Sequence, residues 1–227
     1  MLLDRVEQVE ARLRCAAERA GRRPAGITLI AVTKLFPASV MCEAYALGLR
    51  HFGENYVQEF ETKVPELAGL AEAEFHLIGH LQSNKAKRAA QWFDVIETVD
   101  SLKLARRLEE VPAALRRRSA GRLEVMLEVK LSLEEAKSGA GAEELAGLVE
   151  AVRASPSLEL TGLMTMPPWS EDPEQSRPYF QRLRELAERF ALPKLSMGMS
   201  HDLEVAIEEG ATQVRVGTAL FGPRATR

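Results

Sequence analysis

Apolar positions recur at spacings of three and four through Leu3, Val6, Val9, Leu13 and Ala16, the pattern of an amphipathic helix that ends near Gly21. Beyond that point the period shortens. Runs rich in β-branched and aromatic residues follow one another: "ITLIAVT" at 27–33, "RHFG" at 50–53, "EFHLIG" at 74–79, "DVIETVD" at 94–100, "LEVMLEV" at 123–129, "LELTGLM" at 158–164, "KLSMG" at 194–198 and "QVRVG" at 213–217. Helical stretches alternate with them, at 38–47, 55–70, 102–118, 143–153, 173–190 and 201–209. Parallel strands need a crossover between them, and eight strand-helix units are the number that closes a barrel. The expectation is an α/β protein, a single (β/α)8 TIM barrel spanning residues 1–227 with an extra N-terminal helix. An open doubly wound sheet is the competing architecture, and no GxGxxG follows the first strand to support it.

Composition narrows the partners. The chain of 227 residues is 46% hydrophobic and 28% charged, ordinary for a globular protein with a sizeable core. A formal net charge of −3 gives no global attraction to nucleic acid or to an anionic membrane. The basic cluster "SNKAKR" at 83–88 is the local exception and reads as a solvated helix start. Charges interrupt the N-terminal segment, so it does not read as a signal peptide, and no window approaches the ~18 apolar residues of a membrane span. Cys15 and Cys42 have neither metal spacing nor a CxxC partner, which fits a reducing compartment; a cytoplasmic monomer is expected. His51, His76, His80 and His201 likewise show no ligand spacing along the chain, and no metal is expected.

In a barrel the C-terminal strand ends open on one face, where loops build the site. Lys34 closes the first strand there, and Asn55 follows the second. Gly198 permits a tight turn, Ser200 stands where it would cap a helix beginning near His201, and Gly217 with Thr218 follows the eighth strand. Loops after the seventh and eighth strands are where barrels hold phosphate. Arg215, flanked by Val214 and Val216, points into the barrel by alternation and needs an acceptor, either a carboxylate such as Glu128 or Asp100 or a ligand's ring nitrogen or phosphate. A lysine facing a phosphate cradle suggests pyridoxal 5′-phosphate, whose aldehyde forms a Schiff base with an activated amine. A sugar-phosphate enzyme with a Schiff-base lysine fits the same features.

The segments "AVTK", "HFGENYVQE", "HLIGHLQSNK", "AKSG", "GLMTM" and "LSMGMSHDLEVAI" with "VRVGTALFG", in this order, resemble the YggS/PROSC family of pyridoxal phosphate homeostasis proteins across nearly the whole chain. The resemblance implies a barrel similar to the N-terminal barrel of alanine racemase, with fold type III binding of the cofactor. It implies Lys34 as the Schiff-base lysine and Asn55 near the cofactor's phenolic oxygen. Ser200, Gly217 and Thr218, with backbone around Met199, would bind the phosphate, and Arg215 would approach the pyridine nitrogen. His80 and Met197 would line the ring, and Lys137 would assist transfer. Departures are Glu74 in place of a common aromatic, His201 in place of an aspartate, and the loop "KLSLEEAKSG", which weakens the inference about Lys137.

The implied function is to buffer the cofactor or deliver it to apo enzymes, maintaining intracellular vitamin B6 and amino-acid homeostasis, with no catalytic residue assigned. The alternative is a pyridoxal-phosphate-dependent racemase of modest activity. Arg215 argues against transamination, because a permanent guanidinium leaves the ring nitrogen unprotonated and the ring a poor electron sink. Alanine racemase also uses a tyrosine base and a C-terminal β-domain. Here Tyr45, Tyr56 and Tyr179 fall in predicted helices or their flanks, Tyr56 being the least implausible acid, and the sequence ends soon after the eighth strand.

Overall fold

Eight parallel strands close into a barrel in chain order, each hydrogen-bonded to the next and the last to the first. The computed structural model describes residues 1–117, 121–132, 138–141 and 143–223. The strands are β1 (Thr28–Val32), β2 (His51–Glu54), β3 (Glu74–Leu77), β4 (Val95–Val99), β5 (Leu123–Glu128), β6 (Leu158–Met164), β7 (Lys194–Met199) and β8 (Gln213–Val216). Each lies within one of the eight runs read from the sequence, give or take a residue, and the barrel expected from their alternation with helices is the one formed.

The helices are α1 (Leu2–Arg19), α2 (Ala38–Ala46), α3 (Val57–Lys63), α4 (Ala86–Trp92), α5 (Leu102–Glu109), α6 (Leu145–Ala154), α7 (Arg177–Arg189), α8 (Leu203–Glu208) and α9 (Thr218–Phe221). Three are shorter than their sequence pattern. The stretch 55–70 breaks after Lys63 into a 3₁₀ turn at Val64–Glu66, because Pro65 has no N–H to donate. The stretch 102–118 stops at Glu109, ahead of Pro112. The stretch 173–190 begins as a 3₁₀ turn at Pro173–Ser176 before α7 takes over. The basic segment at 83–88 does start a helix, with a 3₁₀ turn at Ser83–Lys85 leading into α4.

One apolar body fills the space between strands and helices, and Phe60 of α3, fully buried, lies with its ring 4.9 Å from that of Phe75 and 4.7 Å from that of Phe93. Helix α1 joins this body through Val6, Val9, Leu13, Ala16 and Ala17 and packs on α8 and α9, which closes the barrel wall beside β8. Ile30, Val95, Met126 and Met164 are buried outside that body and belong to the barrel interior. The interior is otherwise polar. His76, Glu97, Ser196, Gln213 and Arg215 are all buried there, so the inside of the barrel is a hydrogen-bonded network with apolar filler.

Candidate functional site

Ile30 and Val32 face inward, so alternation carries Lys34 to the inner side of the mouth as β1 runs out into a turn. The next residue, Leu35, holds a left-handed φ of 66°, a conformation worth about 1–3 kcal/mol of strain in a non-glycine residue. What holds it is a buried charge cluster behind the turn. Lys63, at the end of α3, donates to Glu54 Oε1 at 2.7 Å and to the carbonyl of Thr33 at 3.1 Å. Thr33 Oγ1 donates to the same Glu54 oxygen at 2.8 Å. Glu59 pairs with Lys63 at 2.7 Å and accepts from the Leu35 amide at 2.6 Å. The lysine-bearing turn is therefore clamped on both sides of Lys34. Burial pushes the Glu54 carboxyl above its ordinary pKa in spite of Lys63, so this clamp is sensitive to loss of its cation.

Farther round the rim, at β7, two strands from β1, Gly198 adopts φ 90° and sits so close to α8 that a Cβ would lie 2.4 Å from that of Ala206. Only glycine allows the chain to turn there. Ser200 does not cap α8 as its sequence position suggested: it opens a three-residue turn that ends at Asp202, Asp202 is the N-cap, and its carboxylate accepts from the Met199 amide at 2.7 Å. The Ser200 hydroxyl instead faces the end of β8, where it accepts from the amides of Gly217 at 3.3 Å and Ala219 at 3.2 Å. Two amides and a hydroxyl thus converge at one point, with Thr218 exposed beside them. Arg12 of α1 anchors the loop from outside, donating to the Ser200 carbonyl at 2.9 Å and to Glu204 at 2.6 Å.

Between these two walls lies Arg215. Its guanidinium donates to Ser196 Oγ at 2.7 Å and to the Thr165 carbonyl at 2.9 Å, and the Ser196 hydroxyl donates in turn to Glu97 Oε2. Neither Glu128 nor Asp100 is its hydrogen-bonding acceptor: Glu128 contributes only charge, and Asp100 lies 3.4 Å from His80 in an ion pair at the rim. Burial draws Arg215 below its ordinary pKa, while Glu97, Asp202 and Glu128 support the charged form. Glu97 continues the chain to His76 Nδ1 at 2.7 Å. Burial opposes charge on that imidazole, yet Glu74 and Glu97 outweigh it and raise its pKa to about 9.

The remaining expected residues scatter. Asn55 follows β2, and its Oδ1 is buried without a hydrogen-bond partner. Gly79 packs against it so tightly that a Cβ would fall 2.3 Å from the Asn55 carbonyl. His80 is exposed at the rim. Met197 lies in the apolar body behind β7, because Ser196 occupies the inward position next to it. A cavity of about 600 Å³ opens beside Met199, lined also by Glu128, Lys130, Met166 and Trp169. Tyr56 is half exposed at the start of α3, and Tyr45 stacks under Arg50. Lys137 lies outside the described residues. Sequence reasoning missed Glu97, although alternation within "VIETV" points it inward, and it missed Ser196, Lys63 and Arg12.

The fold and the mouth define a class, a (β/α)8 barrel whose open end carries Lys34 after β1 and two backbone amides converging on Ser200 Oγ after β8. Residues 5–225 match the model of the alanine racemase N-terminal domain. The chain belongs to that family and, within it, to the branch of pyridoxal phosphate homeostasis proteins. A protein so named from Pseudomonas aeruginosa is 48% identical over 98% of this chain and 96% of its own, and one from Aquifex aeolicus is 43% identical over 97% of both. The structure of PipY from Synechococcus elongatus with pyridoxal phosphate bound is similar with a TM-score of 0.84 at 36% identity, over 98% of this chain and 100% of PipY.

The clamp predicts a large effect from a residue remote from any ligand. Lys63→Ala strands a fully buried Glu54 and should lower unfolding free energy by about 3–5 kcal/mol in urea titrations, with Glu54→Gln in the same chain restoring most of it. Glu128 gives a pH signature. Its pKa is raised to about 7 by burial and by Asp100, so the native state binds this proton more tightly than the unfolded chain. The stabilisation it gives is complete below its ordinary value and disappears as pH rises through 7, a loss on the order of 3 kcal/mol. Urea midpoints across that window should show this fall, and Glu128→Gln should flatten it.

Proposed function

We propose that the chain binds pyridoxal 5′-phosphate at the barrel mouth and serves to buffer the cofactor and deliver it to apo enzymes that need it. The reading rests on one observation above the others: Gly217 N and Ala219 N converge on Ser200 Oγ at the end of β8, the strand paired with the β1 that leads to Lys34, and the charged Arg215 is buried below them on β8 itself. The names of the relatives and the ligand of PipY support it. The cofactor, when bound, supplies an aldehyde that captures primary amines.

Each residue then has a task. Lys34 would supply the amine, held by a turn that Lys63 and Glu59 keep in place. Ser200, Gly217 and Thr218, with the backbone at Met199, would hold the phosphate. Asn55 would bring its unpartnered oxygen to the ring face of the site. Arg215 cannot surrender its proton at neutral pH, so a pyridine nitrogen facing it would stay unprotonated and the ring would be a poor electron sink. That argues against transamination and leaves storage or racemase-like chemistry. His80 would contribute from the rim, whereas Met197 would act through packing behind β7.

Intact mass after loading and hydride reduction tests the proposal. The wild type should gain one pyridoxyl group per chain, mapped to Lys34, and Lys34→Ala should gain none at that peptide. Ser200→Ala should bind the cofactor about 10- to 100-fold more weakly, the loss of one hydrogen bond to a charged group at ~1.5–3 kcal/mol. An unmodified wild type would refute the site. In heavy water, the loaded protein should exchange no α-protons of L-alanine at enzymatic rates, and steady exchange would restore the racemase reading.

A further inference from the structure

At the end of the barrel opposite Lys34, three side chains meet in the interior. His51 opens β2 and stands in register with Glu74, the first residue of β3, and His76 lies two residues further along β3 on the same inward face. His51 Nδ1 is 3.1 Å from His76 Nε2 and 3.6 Å from Glu74 Oε1, and His76 Nε2 is 3.4 Å from Glu74 Oε1. A tetrahedral zinc ion with nitrogen and oxygen ligands at ~2.0–2.1 Å has ligand-to-ligand edges of about 3.3 Å. The three atoms already form a triangle of that size.

We propose that His51, Glu74 and His76 are the protein ligands of a zinc-class divalent cation, with water in the fourth position. Three further observations support this. His76 Nδ1 is hydrogen-bonded at 2.7 Å to Glu97, a fully buried carboxylate, which fixes the ring and turns Nε2 toward the other two ligands. Such a carboxylate behind a histidine is the usual partner of a metal-binding imidazole. Glu74 brings a carboxylate to the ion directly, and Glu97 places a second one behind His76, which together offset part of a divalent charge in a buried setting. The side chains of His51 and Glu74 are 33% and 23% exposed, which leaves a path for the ion and for its water. Two imidazoles and one carboxylate suit zinc, cobalt or nickel and do not suit magnesium or calcium.

The site is independent of the cofactor reading, since it uses none of the mouth residues. Its effect on the fold is to tie β2 to β3 at the closed end of the barrel. It also joins the interior network, because Glu97 bridges His76 to Ser196 and, through Ser196, to Arg215.

Cobalt chloride titrated into the full chain after treatment with a chelator is the test, followed by visible absorption. The expected result is one equivalent taken up in the micromolar range with the intense bands of a four-coordinate ion, displaced by zinc chloride. His51→Ala and Glu74→Gln, both at partly exposed positions, should each weaken uptake at least ten-fold, and Glu97→Gln should weaken it about 10- to 100-fold. Zinc should raise the thermal midpoint of the wild type and leave that of His51→Ala unchanged. No uptake in that range, equal affinity in His51→Ala, or a thiolate charge-transfer band pointing to Cys15 or Cys42 would overturn the proposal.

Discussion

A guanidinium sealed inside a barrel of parallel strands is the constraint on which the interior depends. Arg215 cannot neutralise itself by losing a proton, and an uncompensated buried ion costs several kcal/mol. Its charge is therefore offset by Glu97, Asp202 and Glu128, and hydrogen bonds run from Arg215 to Ser196, from Ser196 to Glu97 and between Glu97 and His76, so that residues of β8, β7, β4 and β3 are committed to one chain. That chain also fixes register. A slip of one residue in any of those strands would turn a network member outward into the apolar body and leave its partner unpaired. The apolar fillers Ile30, Val95, Met126 and Met164 occupy the remaining volume and specify nothing comparable.

The two walls of the mouth are held from outside by the same device used twice. In each, a cation from a neighbouring helix binds a backbone carbonyl at a strand end and a carboxylate beside it: Lys63 with Thr33 and Glu54, Arg12 with Ser200 and Glu204. Both loops must keep conformations that the backbone alone does not favour, since Leu35 is left-handed and Gly198 is too tightly packed for any side chain. This gives α1, which lies outside the eightfold alternation, a definite role. It covers α8 and α9 with its apolar stripe and sends Arg12 to the turn between β7 and α8.

Much of this was legible in the sequence because periodicity is local. The change from a 3.6 period to short β-rich runs located all eight strands, and alternation around Val214 and Val216 set the direction of Arg215. Partners were not legible, because they depend on height along the barrel axis, which the stagger of the strands sets. Glu128 and Asp100 lie near the right level by residue counting, but irregular pairing between Ile96 and Val99 and between Ser196 and Met199 brings Glu97 and Ser196 to the arginine instead. The histidines were dismissed on spacing along the chain, whereas His51 and His76 meet across adjacent strands. Ser200 was read as a helix cap because a serine before an acidic helical run has that signature, and a turn of three residues defeated it.

The chemistry of the cradle bears on why such a site would suit a carrier. The donors that meet Ser200 Oγ are backbone amides, and Arg12, which reaches that loop from α1, spends its hydrogen bonds on the Ser200 carbonyl and on Glu204. A neutral hydrogen bond contributes about 0.5–1.5 kcal/mol and one with a charged partner about 1.5–3 kcal/mol, so a phosphate held by amides and a hydroxyl owes its grip to the anion's charge alone. Arginine aimed at the phosphate would tighten that grip and slow release. In this barrel the buried arginine spends its hydrogen bonds on Ser196 and Thr165. Under the proposed function, retention would rest on a bond to Lys34 that a competing amine could exchange, so that holding and letting go would be functions of one reversible linkage.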